Sequence, residues 1–178
     1  ALPSSGRFLV ELGSRYNQDY RIPFTIILNT SQGTFASALD VVVSSGEAEV
    51  TNVEVTGNNF GPSDRDELTL TVRNNGEWGL TNVTGTITVG DTMVIIEDGE
   101  SNFGNIAPGA SVSNSSNPFI IRAHNYITRG LTEYFTLQLE SANGQVQDLE
   151  FEITVSGATV EDPMGPDSYG YYAIDDLD

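Results

Sequence analysis

The chain predicts an all-β fold: an immunoglobulin-like Greek-key β-sandwich with an additional partial sandwich repeat at its N-terminus. Three observations carry that expectation. Almost every apolar segment alternates with period two between clusters of Gly, Asn, Ser and Asp, which is the pattern of half-buried strands, and helical periodicity is hard to find. Seven such segments between residues 48 and 157 fall at the short spacing of a two-sheet sandwich. The first forty-odd residues also align with a later part of the chain, at an offset of about 111 positions and without a gap. Phe8-Leu9-Val10 lies over Phe119-Ile120-Ile121, Phe24 to Leu28 over Phe135 to Leu139, Gly33 over Gly144, and Ser45-Gly46 over Ser156-Gly157. A period of roughly 110 residues is the size of one sandwich domain and too long for a solenoid repeat.

Taken in order, residues 1–47 are expected to be the last three strands of a preceding sandwich, at 7–12, 21–29 and 38–44, with Ser31-Gln32-Gly33 as a hairpin turn. Residues 48–157 are expected to be a complete module with strands near 48–55, 67–73, 80–89, 92–97, 118–122, 131–140 and 147–155. Asn143-Gly144 predicts a tight primed turn, because both residues tolerate positive φ. Alternation puts Leu68, Leu70 and Val72 on one face and Thr69, Thr71 and Arg73 on the other. By the same rule Phe135, Leu137 and Leu139 face the core, and Phe119, Phe151 and Ile153 join them. Residues 158–178 change character to an acidic tail or linker rich in proline and tyrosine.

Composition excludes much chemistry. The 178 residues include no cysteine and no lysine, and His124 is the single histidine. A disulfide framework, a thiolate nucleophile, a zinc ribbon and a Schiff base are all excluded. His124 has no Gly-x-Ser-x-Gly elbow to serve, so no catalytic residues are assigned and no enzyme is expected. Twenty-five acidic side chains against seven basic ones give a net charge of −18, a surface that repels nucleic acid and anionic lipid. No apolar run of about 18 residues is present, so no membrane insertion is expected.

Two oxygen-rich sets suit a hard cation such as calcium, although a solvated turn or linker has the same composition. One is Asn58, Asn59, Asp64, Asp66 and Glu67 within one turn. The other is Asp162, Asp167, Asp175, Asp176 and Asp178, which chelate only if the tail folds back. Trp78, following the Asn74-Asn75-Gly76 turn, is either an exposed contact for a ligand or, more commonly for such a residue, packed over the rim of the core. Carbohydrate binding would need Trp78 and tyrosines on one exposed face.

Two stretches and the tail carry a resemblance. Gly57-Asn58-Asn59-Phe60-Gly61-Pro62-Ser63-Asp64-Arg65-Asp66-Glu67, running on through a strand to Asn74-Asn75-Gly76, is similar to an acid-rich turn, strand and Asn-x-Gly opening. Phe103-Gly104-Asn105-Ile106-Ala107-Pro108-Gly109-Ala110 is similar to a glycine, apolar, x-Pro-Gly passage, and the tail from Asp162 to Asp176 to an exit segment. The family resembled is the immunoglobulin-like CARDB or alpha-galactosidase-associated type of repeat. Such modules occur in large secreted proteins of Bacteroidetes-type bacteria, often beside gingipain-like or subtilase peptidases. Arg65-Asp66-Glu67 stands where that family has Pro-Gly-Glu.

The resemblance implies a non-catalytic extracellular structural or assembly module of a larger secreted or cell-surface protein. An accessory domain of a secreted peptidase, a carbohydrate-binding or adhesion module, and a strand-exchanged filament subunit remain alternatives. The expected partners are neighbouring sandwich repeats, in cis or in trans by strand addition.

Overall fold

The computed structural model describes residues 10–11 and 19–156. The expected strand at 7–12 lies mostly outside the described residues, and Val10 and Glu11 are in no strand. The tail with its five aspartates also lies outside them.

The described chain is all β. A hairpin of β1 (Arg21–Thr30) and β2 (Gly33–Val42) precedes β3 (Ala48–Val55), a single 3-10 turn (Thr56–Asn58), β4 (Arg65–Asn74) and β5 (Leu80–Val89). Then come β6 (Val94–Asp98), β7 (Glu100–Ile106), β8 (Ser111–Ser113), β9 (Phe119–Ala123), β10 (Thr132–Glu140) and β11 (Val146–Thr154). Two antiparallel sheets form the sandwich, ordered β3-β4-β9-β6 with β8 on β4, and β11-β10-β5-β7. With β6 and β7 on different sheets, the first order matches the A-B-E-D sheet of an immunoglobulin-like domain and the second its G-F-C sheet, extended by one strand.

The core fills the space between the sheets from the alternate residues of facing strands. Leu68, Leu70, Val72, Phe119 and Ile121 come from one sheet, and Phe135, Leu137, Leu139, Phe151 and Ile153 from the other; all are buried. Phe135 and Phe151 sit opposite each other in the β10–β11 ladder and stack with ring centroids 5.1 Å apart.

Three expectations are corrected. The described module has nine strands from β3 to β11 instead of seven. Strand β7 was hidden because its alternation is broken by a bulge against β5, where Gly104 takes φ +70°. The second expected strand of the hairpin, 38–44, begins at Gly33, directly after a two-residue turn. Asn143-Gly144 does not form a primed turn: only Gly144 has positive φ (87°), Gly144 N–H donates to Ser141 C=O (2.8 Å), and Ser141 N–H donates to Gln145 C=O (2.9 Å). That is a three-residue loop ending in a left-handed glycine, the other common hairpin connection.

Candidate functional site

Directly opposed residues of an antiparallel pair share a face, so the register of β1 and β2 sorts their side chains. Ile22 faces Val41, Phe24 faces Leu39, Ile26 faces Ser37 and Leu28 faces Phe35. The other face carries Pro23, Thr25, Asn29, Thr34, Ala36, Ala38 and Asp40 among others. The hairpin therefore has one almost wholly apolar face and one mixed face, where Ile27 and Val42 stand among polar and small residues. Nothing among the described residues covers the apolar face: Leu28 is 59% exposed, Phe35 56% and Leu39 45%, while Ile22 and Phe24 nearer the base are half-buried. Two strands cannot bury such a face by themselves.

The hairpin has a counterpart in the sandwich. Residues 21–29 of β1 fall on 132–140 of β10 at the repeat offset, so Ile22, Phe24, Ile26 and Leu28 match Glu133, Phe135, Leu137 and Leu139, the inward face of β10. The two hairpins also share the irregularity at their base. Asp19 N–H donates to Val43 C=O (3.0 Å) and Val43 N–H to Tyr20 C=O (2.9 Å); Gly130 N–H donates to Val155 C=O (2.9 Å) and Val155 N–H to Leu131 C=O (2.8 Å). Asp19 and Gly130 both adopt left-handed φ, 64° and 79°, as the first residue of a glycine-type bulge.

The gapless alignment does not survive the turn. Arg21 pairs with Val42, whereas Thr132 pairs with Thr154, because the first turn is one residue shorter than the second. On the second strand the true offset is thus 112, which brings Leu39 onto Phe151 and Val43 onto Val155. It also places Ser44 on Ser156, so the Ser-Gly pairs seen in sequence are not equivalent.

The edges differ in the same informative way. Tyr20 and Val43 are hydrogen-bonded, so the peptide groups of Arg21, Pro23, Thr25, Ile27 and Asn29 point away from β2. Proline has no N–H to contribute and is tolerated at an outward position. In β10 the stretch paired with β5 is Phe135 to Glu140, equivalent to 24–29 of β1, and Pro23 falls just beyond it. Among the described residues no strand pairs with the outer edge of β1 over the stretch where β10 takes a neighbour.

In the 58–67 set, β4 begins at Arg65, so Asp66 shares the inward side of Leu68 while Glu67 points to the opposite face. Asp64 is committed locally, its Oδ2 accepting from Gly61 N–H (2.7 Å). Burial raises the Asp66 pKa, and the neighbouring charge of Asp64 raises it further. Among the described residues no three His, Asp or Glu side chains form a group that could hold a metal ion.

Trp78 is 62% exposed, which corrects the expectation of packing over the core rim. The turn holds it outward: its N–H donates to Ser45 C=O (3.3 Å) and its C=O accepts from Asn74 (2.8 Å), leaving the indole free of the core. Exposed Tyr134 lies near the start of β10, exposed Tyr126 in the loop between β9 and β10, and Trp78 in the turn before β5. The His124 and Tyr126 rings lie in tilted contact with centroids 3.7 Å apart, and His124 Nδ1 is buried without a partner.

No family model matches the chain, and no curated protein does. Solved structures similar to it include the sporulation control protein Spo0M of Bacillus subtilis, with 15% identity and a TM-score of 0.37 over 64% of this chain and 51% of that one. The match thus spans about half the length of Spo0M. The archaellum periplasmic stator complex of FlaF and FlaG from Sulfolobus acidocaldarius is similar over 60% of this chain and 87% of its own, with 14% identity and a TM-score of 0.31. A conjugative transposon lipoprotein from Bacteroides eggerthii is similar over 62% of this chain and 95% of its own, with 15% identity and a TM-score of 0.31.

Proposed function

We propose that the chain is a non-catalytic structural module of a larger secreted or surface protein, and that its β1–β2 hairpin belongs to a second sandwich completed by strands of a neighbouring module. One observation carries the reading. The hairpin repeats β10–β11 down to its basal bulge, yet where β10–β11 packs against a facing sheet, no sheet among the described residues covers the equivalent apolar face of β1–β2. A strand added along Phe24–Asn29, together with a sheet packed on Ile22, Phe24, Ile26, Leu28, Phe35 and Leu39, reproduces around β1–β2 what β5 and the β3-β4-β9-β6 sheet provide around β10–β11. The strand-rich texture, the acidic surface and the resemblance to modules of secreted bacterial proteins support an extracytoplasmic setting.

The test is solution size by light scattering, with an apolar dye as a second reading, on the chain and on a variant with Ile26→Ser, Leu28→Ser and Phe35→Ser. The expected result is self-association or dye binding that the variant loses while its main unfolding transition stays in place. A chain that is monomeric at high concentration and binds no dye overturns the reading. A variant that associates as the parent does overturns it as well.

A further inference from the structure

The segment Ser44–Ala48 joins hairpin to sandwich, and in a free tether its peptide groups would be left to water. Here each one from the Ser45 C=O to the Ala48 N–H has a partner on the sandwich. Gln145 makes both bonds to a single residue: Gly46 N–H donates to its Oε1 (3.2 Å), and its Nε2 donates to Gly46 C=O. The side-chain amide thereby imitates an opposed residue of an antiparallel ladder, since it holds one donor and one acceptor side by side. Gln147 repeats the contact one step on, accepting from Ala48 N–H (2.8 Å) and donating to Gly46 C=O (3.1 Å). Asn74 Oδ1 accepts from Glu47 N–H (3.0 Å), Glu47 C=O accepts from Asn75 N–H (2.6 Å), and Ser45 C=O accepts from Trp78 N–H (3.3 Å).

Two glycines make this close approach feasible. A Cβ on Gly46 would lie 2.5 Å from Leu80 Cδ2, and one on Gly76 would overlap the Ser45 carbonyl oxygen and lie 2.5 Å from the Glu47 nitrogen. The glutamines occupy the inward-side positions of the start of β11 and its preceding loop, in line with Leu149, Phe151 and Ile153. Amides replace apolar side chains where the segment crosses the end of the sandwich.

We propose that Asn74, Gly76, Gln145 and Gln147 are a receptor for the backbone of the segment entering the module, so that the sandwich holds whatever precedes it in one orientation. The Asn-x-Gly motif after β4 thereby gains a role: Asn74 reads the Glu47 amide, and Gly76 clears the path. The preceding body is identified as a module only through the reading above; the clamp itself rests on the hydrogen bonds alone.

Hydrogen exchange on the full chain tests it. The amides of Gly46, Glu47 and Ala48 should exchange at least about tenfold more slowly than those of the exposed Ser31–Gln32 turn. In a Gln145→Leu, Gln147→Leu variant, Gly46 and Ala48 should lose that protection while β4, β9 and β10 keep theirs, which distinguishes an opened clamp from an unfolded sandwich. Because the chain has no cysteine, spin labels at Thr25→Cys and Thr88→Cys can report the hairpin-to-sandwich distance, expected narrow in the parent and broad in the double variant. Free-linker exchange at 46–48 in the parent, protection unchanged by the double substitution, or a broad parent distance distribution each overturn the proposal. None of these readings depends on self-association through the hairpin, so the clamp and the module reading fail separately.

Discussion

Asn74 is fully buried, and both ends of its side-chain amide are satisfied. Oδ1 accepts from Glu47 and Gly76 N–H (3.0 Å each), and Nδ2 donates to the carbonyls of Trp78 (2.8 Å) and Ile106 (3.1 Å). Asn74→Ala would leave these four backbone groups unpartnered at once, a loss of about 3 kcal/mol in urea unfolding. A loss below about 1 kcal/mol would show that water replaces the amide. Glu133 is the opposite case, a buried carboxyl on the inward face of β10 whose Oε1 has no partner. Burial raises its pKa above the ordinary 4.5, and the charge of Asp91 raises it further. Its folded-state pKa therefore exceeds its unfolded one. The contribution to stability is complete below pH 4.5 and is lost as pH rises through the raised value. Glu133→Gln should accordingly stabilise the protein at pH 7, with the gain fading as pH falls below 4.5. An equal effect at pH 7 and below pH 4.5 in urea titrations would count against this assignment. Asn74 was visible in sequence only as a turn residue, and Glu133 only as one acid among many, because neither burial nor partners follow from local pattern.

Strands with unbroken alternation were legible, and their bounds at Ala48–Val55 and Leu80–Val89 coincide with the sequence reading. Those lost, β7 and β8, carry a bulge or span only three residues, so period two never accumulates over their length. The paired hairpins show how sharply a turn acts on an element. One residue of difference between two loops shifts every cross-strand partner and would turn a strand over if the sequence did not shift with it. Leu39 and Phe151 preserve the inward face despite that shift. The β1–β2 hairpin, which no sheet among the described residues covers, should exchange its amides orders of magnitude faster than β4 or β10 in dilute solution, and more slowly as concentration rises and its apolar face becomes occupied. Protection in β1–β2 equal to that of β10 at low concentration would mean that the hairpin is already covered within its own chain.

At the scale of the molecule, a net charge of −18 opposes compaction. Among the described residues Glu97 gathers two of the few cations, Arg65 at 2.7 Å and Arg122 at 2.8 Å, tying β6 to β4 and β9. The hydrogen bonds from Arg65 and then Arg122 lower its pKa. These pairs are too exposed to offset the repulsion of the remaining carboxylates. Raising salt shortens the screening length from about 30 Å at 0.01 M to about 3 Å at 1 M. The melting midpoint should therefore rise with sodium chloride across that range. A flat or falling midpoint would place the dominant electrostatic term in the arginine pairs.

By itself the sequence determined the all-β class, most strands of the sandwich, the core residues of both sheets and the existence of a second hairpin of the same kind. Each of these follows from period-two alternation, which is a property of neighbours along the chain. The tertiary structure alone decided that Asp66 and Glu67 part to opposite faces, that Trp78 stands outward, that the repeat slips by one residue at its turn, and that Gln145 and Gln147 grip a segment about 100 residues earlier. Those outcomes depend on which strands become neighbours across the sheets. Long-range pairing brings together residues whose separation in sequence carries no trace of their contact.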